Sequence, residues 1–511
     1  MTLVLNTDDC YRHPKKRDTA LFKNKEVSVY SDAFDSLLGY YAFDYNAEDK
    51  KSFTSICDRL LEDSDRRRKG DFYTPTIWVD EAHKMLTENL GSTWKDDYMV
   101  WDCACGTLNL TRDYKFFDLY CSTIIESDLK IGNKYNQEAG SKFQYDFLND
   151  DVVLFNELLE KVKNGYKLSK KDFFNSQLWY KAPDLINGML SGKKMLFFIN
   201  PPYGTATNRN ETSKGDISLT KINKIMLREG VGASAQQLYA QFLYNIDIIK
   251  HLFNLDVSIT IFSPTIWLTG GMGIGLRKVL KNDFSFVDGM LFQASHFADV
   301  KSNWGISFTI FKYLKSDFNS FNILLKDMNE QGIYQIGTKK IYNLDDTNSM
   351  SNWLRKEVKG IKAFDAPQMK GALTWNREIN RGRLINNSYG YLVVGGNNTY
   401  QNNQMVIILS SCYNTANGVS IIKENLFKCC VAFAARRLIT GKYVNWINDK
   451  DEYMLPDIKH NNYNKFESDS LVYCLFNTAS NQSSLRHIEY NNQNWNIANH
   501  FFFMSIDEMN S

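Results

Sequence analysis

The chain has 511 residues, a formal net charge of only +2, 43% hydrophobic residues and 23% charged residues, which is ordinary for a soluble globular protein. This length allows roughly two to four domains, and the balanced charge excludes a chain that is basic or acidic throughout. No apolar run approaches the roughly 20 residues of a membrane helix, and an acidic N-terminus argues against a signal peptide. We therefore expect a cytoplasmic protein with no membrane contact.

The cysteines predict neither a disulfide framework nor a metal site. Nine is an odd number, and paired thiols are unusual in a long chain that is not secreted. Cys103 with Cys105, and Cys429 with Cys430, lack the C-x-x-C spacing of a zinc site. We expect most of the cysteines to be small buried hydrophobic residues, and we assign no metal.

Residues 1–70 are predicted to form a helical N-terminal segment. Phe53–Leu61 carries apolar residues at helical spacing, and the basic run Arg66–Lys69 follows before Gly70 breaks the pattern. A local basic run can contact phosphate even in a chain of nearly neutral charge, although such a run is more often a solvated surface.

Residues 71–315 are predicted to form an α/β domain. Helical or loop segments alternate with short apolar runs typical of buried strands, which are Tyr98–Trp101, Ser122–Ile125, Met195–Ile199, Val257–Phe262, Phe286–Phe292 and Ile306–Phe311. This alternation implies a mostly parallel sheet with helices on both faces. Ligands of such sheets bind beyond the carboxyl ends of the strands, near the point where the strand order reverses.

Two segments that follow the first two predicted strands have the character of a cofactor site. Trp101–Leu110 contains Gly106, and glycine allows a turn to bring its backbone close to a ligand. Roughly 20 residues further on, Glu126 ends the second strand region, with Asp128 as the near alternative. A carboxylate at this position can accept two hydrogen bonds from ribose hydroxyls.

The tetrapeptide Asn200-Pro201-Pro202-Tyr203 is the most informative feature of the chain, and it directly follows the apolar run Met195–Ile199. Two prolines make a stiff corner, because they restrict φ and donate no backbone N–H. The Asn200 amide oxygen and the Pro201 carbonyl can then both accept hydrogen bonds from one exocyclic amine. Tyr203 offers a flat ring for stacking. This arrangement suits an enzyme that grips the amino group of a base.

Asn-Pro-Pro-Tyr is the signature of amino-methyltransferases that use S-adenosylmethionine (SAM), above all the adenine-N6 DNA methyltransferases, and the chain resembles that family over about Asp71–Phe311. Trp101–Leu110 resembles the motif D-P-A-C-G-T-G-N-L, with Cys103 and Leu108 in place of the usual Pro and second Gly. Asp71–Pro75 resembles the F-Y-T-P element, and the motif order resembles the gamma class. The resemblance implies a Rossmann-like SAM-dependent methyltransferase sheet.

The resemblance also implies a set of residues for each ligand. On the cofactor side, Asp102 or its loop backbone would lie near the methionine end, Asp146 would accept a hydrogen bond from the cofactor adenine, and Phe147 would stack on that ring. The expected SAM-binding residues are Tyr73, Thr74, Pro75, Asp102, Cys103, Ala104, Gly106, Glu126, Asp128, Asp146, Phe147 and Asn200. On the target side, Phe297 would pack on the base opposite Tyr203, unless it is a core residue.

Residues 316–511 are predicted to form a separate, mixed domain, because Asn, Tyr and Gly become frequent and short alternating runs replace the α/β order. By resemblance this would be the DNA target recognition domain. Arginine and asparagine side chains are suited to base edges and phosphates in a groove. The candidates are Arg377, Arg381, Arg383, Asn397 and Asn398.

The resemblance therefore implies methyl transfer from SAM to the N6 of a flipped-out adenine in a specific double-stranded DNA sequence. Such an enzyme would be bacterial or phage-encoded and part of DNA modification, with or without a separate restriction endonuclease. Two alternatives stay open: an RNA or protein-glutamine methyltransferase, and a DNA-binding modification subunit that is inactive without a partner. The segment before Asp71 is too short for a fused nuclease domain to be expected.

Overall fold

A computed structural model describes fifteen longer stretches and five single residues of the chain, and the structural statements below concern these parts. They are residues 10–12, 16, 18–22, 25–33, 36, 74–132, 136, 141–204, 219–297, 304–313, 320–342, 349–367, 381–394, 406–409, 412, 418–438, 444–448, 451, 455–476 and 484–498.

In the N-terminal segment, residues 10–28 contain a small antiparallel sheet, and the described residues 31–33 and 36 are helical. The strands of this sheet are β1 (Cys10–Arg12), β2 (Thr19–Phe22) and β3 (Lys25–Ser28), in the order β1-β2-β3. The helical prediction is therefore wrong for residues 10–28. Phe53–Leu61, on which that prediction depended, and the basic run Arg66–Lys69 lie outside the described residues.

A nine-stranded sheet forms the centre of the molecule and confirms the Rossmann-like α/β fold class. Its order is β12-β11-β9-β10-β8-β7-β4-β5-β6. Five neighbouring strands, β6, β5, β4, β7 and β8, are parallel, whereas β10 runs antiparallel between β8 and β9. The strands are β4 (Met99–Asp102), β5 (Leu119–Thr123), β6 (Lys142–Gln144), β7 (Met195–Ile199), β8 (Val257–Pro264), β9 (Phe284–Gln293), β10 (Gly305–Tyr313), β11 (Ser320–Asn329) and β12 (Gly332–Tyr342).

The strand order reverses between β4 and β7. From β4 the chain builds outward through β5 to β6, and it then returns to place β7 on the other side of β4. The carboxyl ends of β4 and β7 consequently flank the position where ligands of open α/β sheets bind.

Both faces of the sheet are packed, which explains why the central strands are continuously apolar. Successive side chains of a strand point to opposite faces. In β7, Leu196 and Phe198 join one core cluster with Trp78, while Phe197 and Ile199 join a second cluster on the other face. All five residues of β7 are buried, as expected for a parallel strand covered on both sides.

Along the chain, the helices that cover this sheet mostly alternate with its strands. Every residue of α8 except His251 is buried, so this helix runs through the interior. The helices are α1 (Thr76–Leu90), α2 (Trp94–Asp97), α3 (Glu126–Gly132), α4 (Val152–Lys163), α5 (Gln177–Lys181), α6 (Pro183–Leu190), α7 (Lys221–Arg228), α8 (Leu238–Phe253), α9 (Ile266–Thr269) and α10 (Ile274–Leu280).

The predicted boundary at residues 315 and 316 falls inside the central sheet. Strand β11 pairs in parallel with β9, and β12 pairs with β11, so the sheet continues to Tyr342. The remaining elements are mixed, and they are α11 (Met350–Arg355), β13 (Ala363–Pro367), β14 (Arg381–Ile385), β15 (Gly390–Val394), β16 (Val406–Leu409), β17 (Gly418–Ile421), α12 (Leu426–Leu438), α13 (Val444–Ile447), α14 (Tyr463–Phe476), β18 (Ser484–Tyr490) and β19 (Gln493–Ala498).

Two further sequence expectations concern cysteines and membranes. The seven cysteines whose side chains are described are all buried, with free thiols. None of the helices in the described parts of the chain has both the length and the apolar character that a membrane crossing requires.

Candidate active site at the carboxyl edge of the sheet

The Asn200–Tyr203 corner begins where β7 ends, at the edge where the strand order reverses. Trp101 of β4 is paired with Phe197 of β7, so the end of β4 at Asp102 lies on the same edge. Behind the corner, the backbone N–H of Leu238 at the start of α8 donates a hydrogen bond to the Gly204 carbonyl at 3.1 Å. The corner is thus fixed between a buried strand and a buried helix.

The Asn200 side chain is oriented by two hydrogen bonds. Its Nδ2 donates to the Thr74 hydroxyl at 2.8 Å, and its Oδ1 accepts a hydrogen bond from the Tyr203 hydroxyl at 2.8 Å. Thr74 is buried, and it directly precedes Pro75, the extended N-cap residue of α1. The F-Y-T-P element and the tetrapeptide therefore meet in space, although 126 residues separate Thr74 from Asn200.

Tyr203 is half-buried and packs beside an aromatic residue that the sequence reasoning missed. The Tyr203 and Trp304 rings lie edge to face, with centroids 6.1 Å apart and an interplanar angle of 84°. Burial raises the pKa of Tyr203 well above its ordinary value, so its hydroxyl stays a neutral donor. One signal points to Trp304: it precedes β10, and a reversed strand starts at the edge where the parallel strands end.

Asp102 is a completely buried carboxylate with an unused oxygen. Its Oδ1 accepts a hydrogen bond from the Ala104 backbone N–H at 3.2 Å, while Oδ2 has no hydrogen-bond partner among the described residues. The pKa of Asp102 is raised to about 8. Burial is the main cause, and the Ala104 hydrogen bond acts in the opposite direction. A buried carboxylate oxygen with no partner is costly, and a cationic ligand group would relieve that cost.

The loop after Asp102 keeps the backbone shape of a glycine turn despite its substitutions. Gly106 and Leu108 both have positive φ, at 48° and 64°. A left-handed backbone costs a leucine about 1–2 kcal/mol. The Leu108 side chain is fully buried in the core cluster that contains Trp94, and this packing offsets the strain. Cys103 is buried, and burial raises the pKa of its thiol, so it is an unreactive packing residue here.

The two acidic residues after β5 differ in exposure. Glu126 is exposed at the first position of α3, whereas Asp128 is buried two residues later. The structure therefore leaves the Glu126 carboxylate open to a ligand, and it places Asp128 inside the protein.

Asp146 and Phe147, which the resemblance assigns to the cofactor adenine, are both engaged with other residues of the protein. Asp146 closes its own turn, because its Oδ1 accepts from the Leu148 N–H at 3.1 Å and its Oδ2 accepts from the Asn149 amide at 2.8 Å. Phe147 is buried, stacked on Phe242 with centroids 5.2 Å apart. In this conformation Phe147 offers no exposed ring face on which a cofactor could stack.

Phe297 is the core residue that the sequence left as an alternative. Its side chain is completely buried, and its ring lies 5.6 Å from that of Phe292 and 5.9 Å from that of Phe262. It has no exposed face for a base, whereas Trp304 lies beside Tyr203.

Five of the remaining predicted residues cannot be placed as side chains. Tyr73 and Arg377, together with Asn397 and Asn398, lie outside the described residues, and only the backbone of Arg381 is described, in β14. Arg383 is exposed on the same strand.

No protein-family model matches the sequence, and no curated protein matches it. Among solved structures, similar chains include the DrdV–DNA complex (14% identity, TM-score 0.39, 57% of this chain and 32% of that chain). A second is the ATP-dependent Type ISP restriction-modification enzyme LlaBIII bound to DNA (14% identity, TM-score 0.34, 61% of this chain and 23% of that chain). A third is the type IIG restriction endonuclease BpuSI (13% identity, TM-score 0.34, 63% of this chain and 36% of that chain). The chain thus spans about a quarter to a third of these structures. Similarities this low carry no inference about what it binds.

Proposed function

We propose that this chain transfers a methyl group from SAM to the N6 amine of an adenine in a specific double-stranded DNA sequence. The observation that carries the proposal is the Asn200 amide, whose orientation is set by Thr74 and whose Oδ1 faces Tyr203 in a diproline corner. The corner lies at the ligand-binding edge of the sheet, on the strand next to the one that ends in Asp102.

The residues at this edge fit SAM as a cofactor. The unpartnered Oδ2 of Asp102 is suited to the ammonium of its methionine part, and the exposed carboxylate of Glu126 is suited to its ribose hydroxyls. When bound, the cofactor supplies an electrophilic methyl group on a sulfonium. Thr74 and Asn200 would lie at the boundary between this cofactor and the target base.

The target amine needs two acceptors, and the corner supplies them as the Asn200 Oδ1 and the Pro201 carbonyl. The Tyr203 hydroxyl donates to the Asn200 oxygen in the present structure, so an incoming amine would displace the hydroxyl, and the tyrosine ring would stack on the base. Two accepted hydrogen bonds fix the direction of the amine lone pair, which is a catalytic gain in orientation. Trp304 would border the base on the side of Tyr203.

Adenine N6 lies inside the duplex, so the target nucleotide must be rotated out of the stack at a cost of a few kcal/mol. Stacking on an aromatic side chain contributes about 1–3 kcal/mol per base, which offsets much of this cost. Arg383, exposed on β14, is available to contact DNA in the C-terminal part of the chain, as proposed for Arg377 and Arg381.

The test combines purified full-length chain, tritiated SAM and plasmid DNA with single-molecule sequencing of DNA from expressing cells. We expect N6-methyladenine in one sequence context. Asn200→Ala should lower turnover roughly 10²–10³-fold, because it removes a positioned acceptor, and it should fold normally. Tyr203→Phe is the matched control, since it removes the hydroxyl that competes for Asn200 and keeps the ring.

Each rival function gives a different result in the same assay. If the tritium label appeared in RNA or in a protein glutamine, the substrate would be that molecule and not DNA. SAM binding without methylation until a second subunit is added would make the chain a modification subunit. Turnover by Asn200→Ala at the wild-type level would remove the proposed site.

A further inference from the structure

A cluster of three metal-ligating side chains lies at the opposite edge of the sheet from Asn200. Asp247 and His251 are four residues apart in the last turns of α8, so they project from one face of the helix. Asp283 lies in the turn between α10 and β9, next to the amino end of β9. The helix α8 leads into β8, so all three residues belong to the edge where the parallel strands begin.

The distances within this cluster suit a small cation with nitrogen and oxygen ligands. The Nε2 of His251 is 3.0 Å from Asp283 Oδ2 and 3.6 Å from Asp247 Oδ1, and the three ligand atoms all lie within 4.8 Å of one another. Zinc bonds of about 2.0–2.1 Å in a tetrahedron place ligand atoms roughly 3.3 Å apart. The two measured separations lie on either side of that value.

Asp247 provides an independent indication of a missing ligand. Its residue is only 8% exposed, and its Oδ1, the oxygen nearest His251, is buried without a hydrogen-bond partner among the described residues. A carboxylate removed from water in this way is costly unless a cation or donor satisfies it. An ion held between Asp247, His251 and Asp283 would satisfy it.

The neighbouring lysine leaves the required ligand atoms available. The Nζ of Lys250 donates to Asp283 Oδ1 at 2.9 Å, which is the other oxygen of that carboxylate. Asp283 Oδ2 is therefore free to exchange its contact with His251 for a metal ion. The positive charge of Lys250 opposes a bound cation, so we expect it to lower the affinity of the site.

We propose that Asp247, His251 and Asp283 bind one divalent transition-metal ion, with Zn²⁺ as the best match to one imidazole and two carboxylate ligands. Three protein ligands leave a fourth position for water. The ion would join the end of α8 to the turn before β9. Since the site lies at the far edge of the sheet, its role would be to stabilise the fold and not to take part in methyl transfer.

The experiment is isothermal titration of the metal-free full chain with Zn²⁺, paired with thermal unfolding in the presence and absence of Zn²⁺. We expect one equivalent to bind and to raise Tm. His251→Gln should weaken the binding at least tenfold and abolish the Tm shift, and Asp247→Asn should do the same. The His251 side chain is 42% exposed, so its variant is expected to fold even if Asp247→Asn does not.

His460→Gln is the matched control, because His460 is an exposed histidine outside the cluster. This variant should bind Zn²⁺ like the wild type. Absence of binding to the wild-type chain, or equal binding by His251→Gln and the wild type, would overturn the proposal. Weakening by His460→Gln alone would place the ion elsewhere and overturn it as well.

Discussion

The two ends of the Asn200 side-chain amide have different partners, and this difference decides which atom faces a substrate. Nδ2 donates to the Thr74 hydroxyl, so Oδ1 must point the other way, toward Tyr203. A hydroxyl is able to hold the amide in this orientation because it can accept the hydrogen bond. Thr74 is thus a positioning residue for the acceptor on which the proposed reaction depends.

Thr74→Val tests this positioning role with almost no change in shape. Valine cannot accept the Asn200 N–H, so the amide is free to rotate, and we expect kcat to fall roughly 10–100-fold with a smaller change in KM for DNA. Steady-state kinetics with the DNA substrate measures both constants. Thr74→Ser, which keeps the hydroxyl, should restore most of the loss; equal kcat in Thr74→Val and wild type would argue against the role.

Asp102 couples the pH dependence of stability to the proposed cofactor. Its pKa of about 8 in the folded chain lies far above the ordinary 3.8, so the folded state holds this proton more tightly than the unfolded state does. The contribution of Asp102 to stability is therefore full below about pH 4 and is lost as the pH rises toward 8. A cationic ligand would reverse this preference by favouring the charged form.

Asp102→Asn should make the cofactor-free chain more stable, by about 1–3 kcal/mol at pH 8 and by much less at pH 5. The same change should weaken SAM binding, because the amide cannot pair with an ammonium. Urea unfolding at the two pH values and calorimetric SAM titration measure the two effects. Asp96→Asn, at an exposed position of α2, should alter neither. A destabilised Asp102→Asn chain at pH 8 would contradict the reasoning.

Single residues also show how far the sequence could predict the site. The tetrapeptide and Thr74 were predicted as parts of a site, and they are in contact. Phe147 and Phe297 were assigned to ligands, yet both are buried in the core. The sequence does not show whether an aromatic residue beside a motif faces the core or a pocket, because both environments favour apolar side chains. The packing of the folded chain decides between these two positions.

At the scale of elements, the sequence predicted most strands of the central sheet, although it placed β5 at Ser122–Ile125 and the structure has it at Leu119–Thr123. The run Met195–Ile199 is β7 residue for residue, since continuous apolar runs are typical of covered parallel strands. The short strand β6 and the long pair β11 and β12 were not assigned to the sheet. Alternation of apolar and polar residues indicates that one face of a strand is buried, but it does not indicate which strand will pair with it.

Close backbone contact between α10 and the segment after α7 explains why position 275 in α10 is a glycine. A Cβ added to Gly275 in α10 would lie 1.9 Å from the Val231 carbonyl oxygen, a distance that requires the backbone to move. Val231 precedes the turn that leads into α8, and the backbone N–H of Leu238 in α8 donates a hydrogen bond to Gly204 behind the Asn200–Tyr203 corner. Glycine at 275 is therefore needed for packing that reaches the proposed site.

Gly275→Ala should lower the free energy of unfolding by about 1–3 kcal/mol through overpacking. It should also reduce methyl transfer, because α8 and the corner behind it would shift. Chemical denaturation and the tritium assay measure these effects. Gly337→Ala is the control: its added Cβ would meet only Leu325 at 3.9 Å, so its stability should stay within about 0.5 kcal/mol of wild type. Equal stability of the two variants would show that α10 can move away without cost.

At the scale of the whole molecule, a segment far along the sequence completes the core of the central sheet. Trp446 of α13 is 2% exposed and belongs to the same core cluster as Trp267 and Leu291. Beside it, Lys339 of β12 forms an ion pair with the buried Asp451 at 2.8 Å. The sequence suggested two separate domains because composition changes near residue 315, but composition does not show that residues 444–448 and Asp451 pack against the first domain.

Trp446→Ala should therefore destabilise the central sheet itself, by about 3–5 kcal/mol, although residue 446 lies in the predicted recognition domain. Removing a large buried ring leaves a cavity against β9, so we expect a lower Tm for the transition that SAM shifts upward by binding to the folded state. Differential scanning calorimetry with and without SAM identifies that transition. Trp495→Ala is the matched control, because Trp495 is 50% exposed on β19, and its Tm should match wild type. If Trp446→Ala changed a separate transition and left the SAM-dependent one unchanged, residues 444–448 would not belong to the core of the central sheet, and the boundary predicted from composition would be supported.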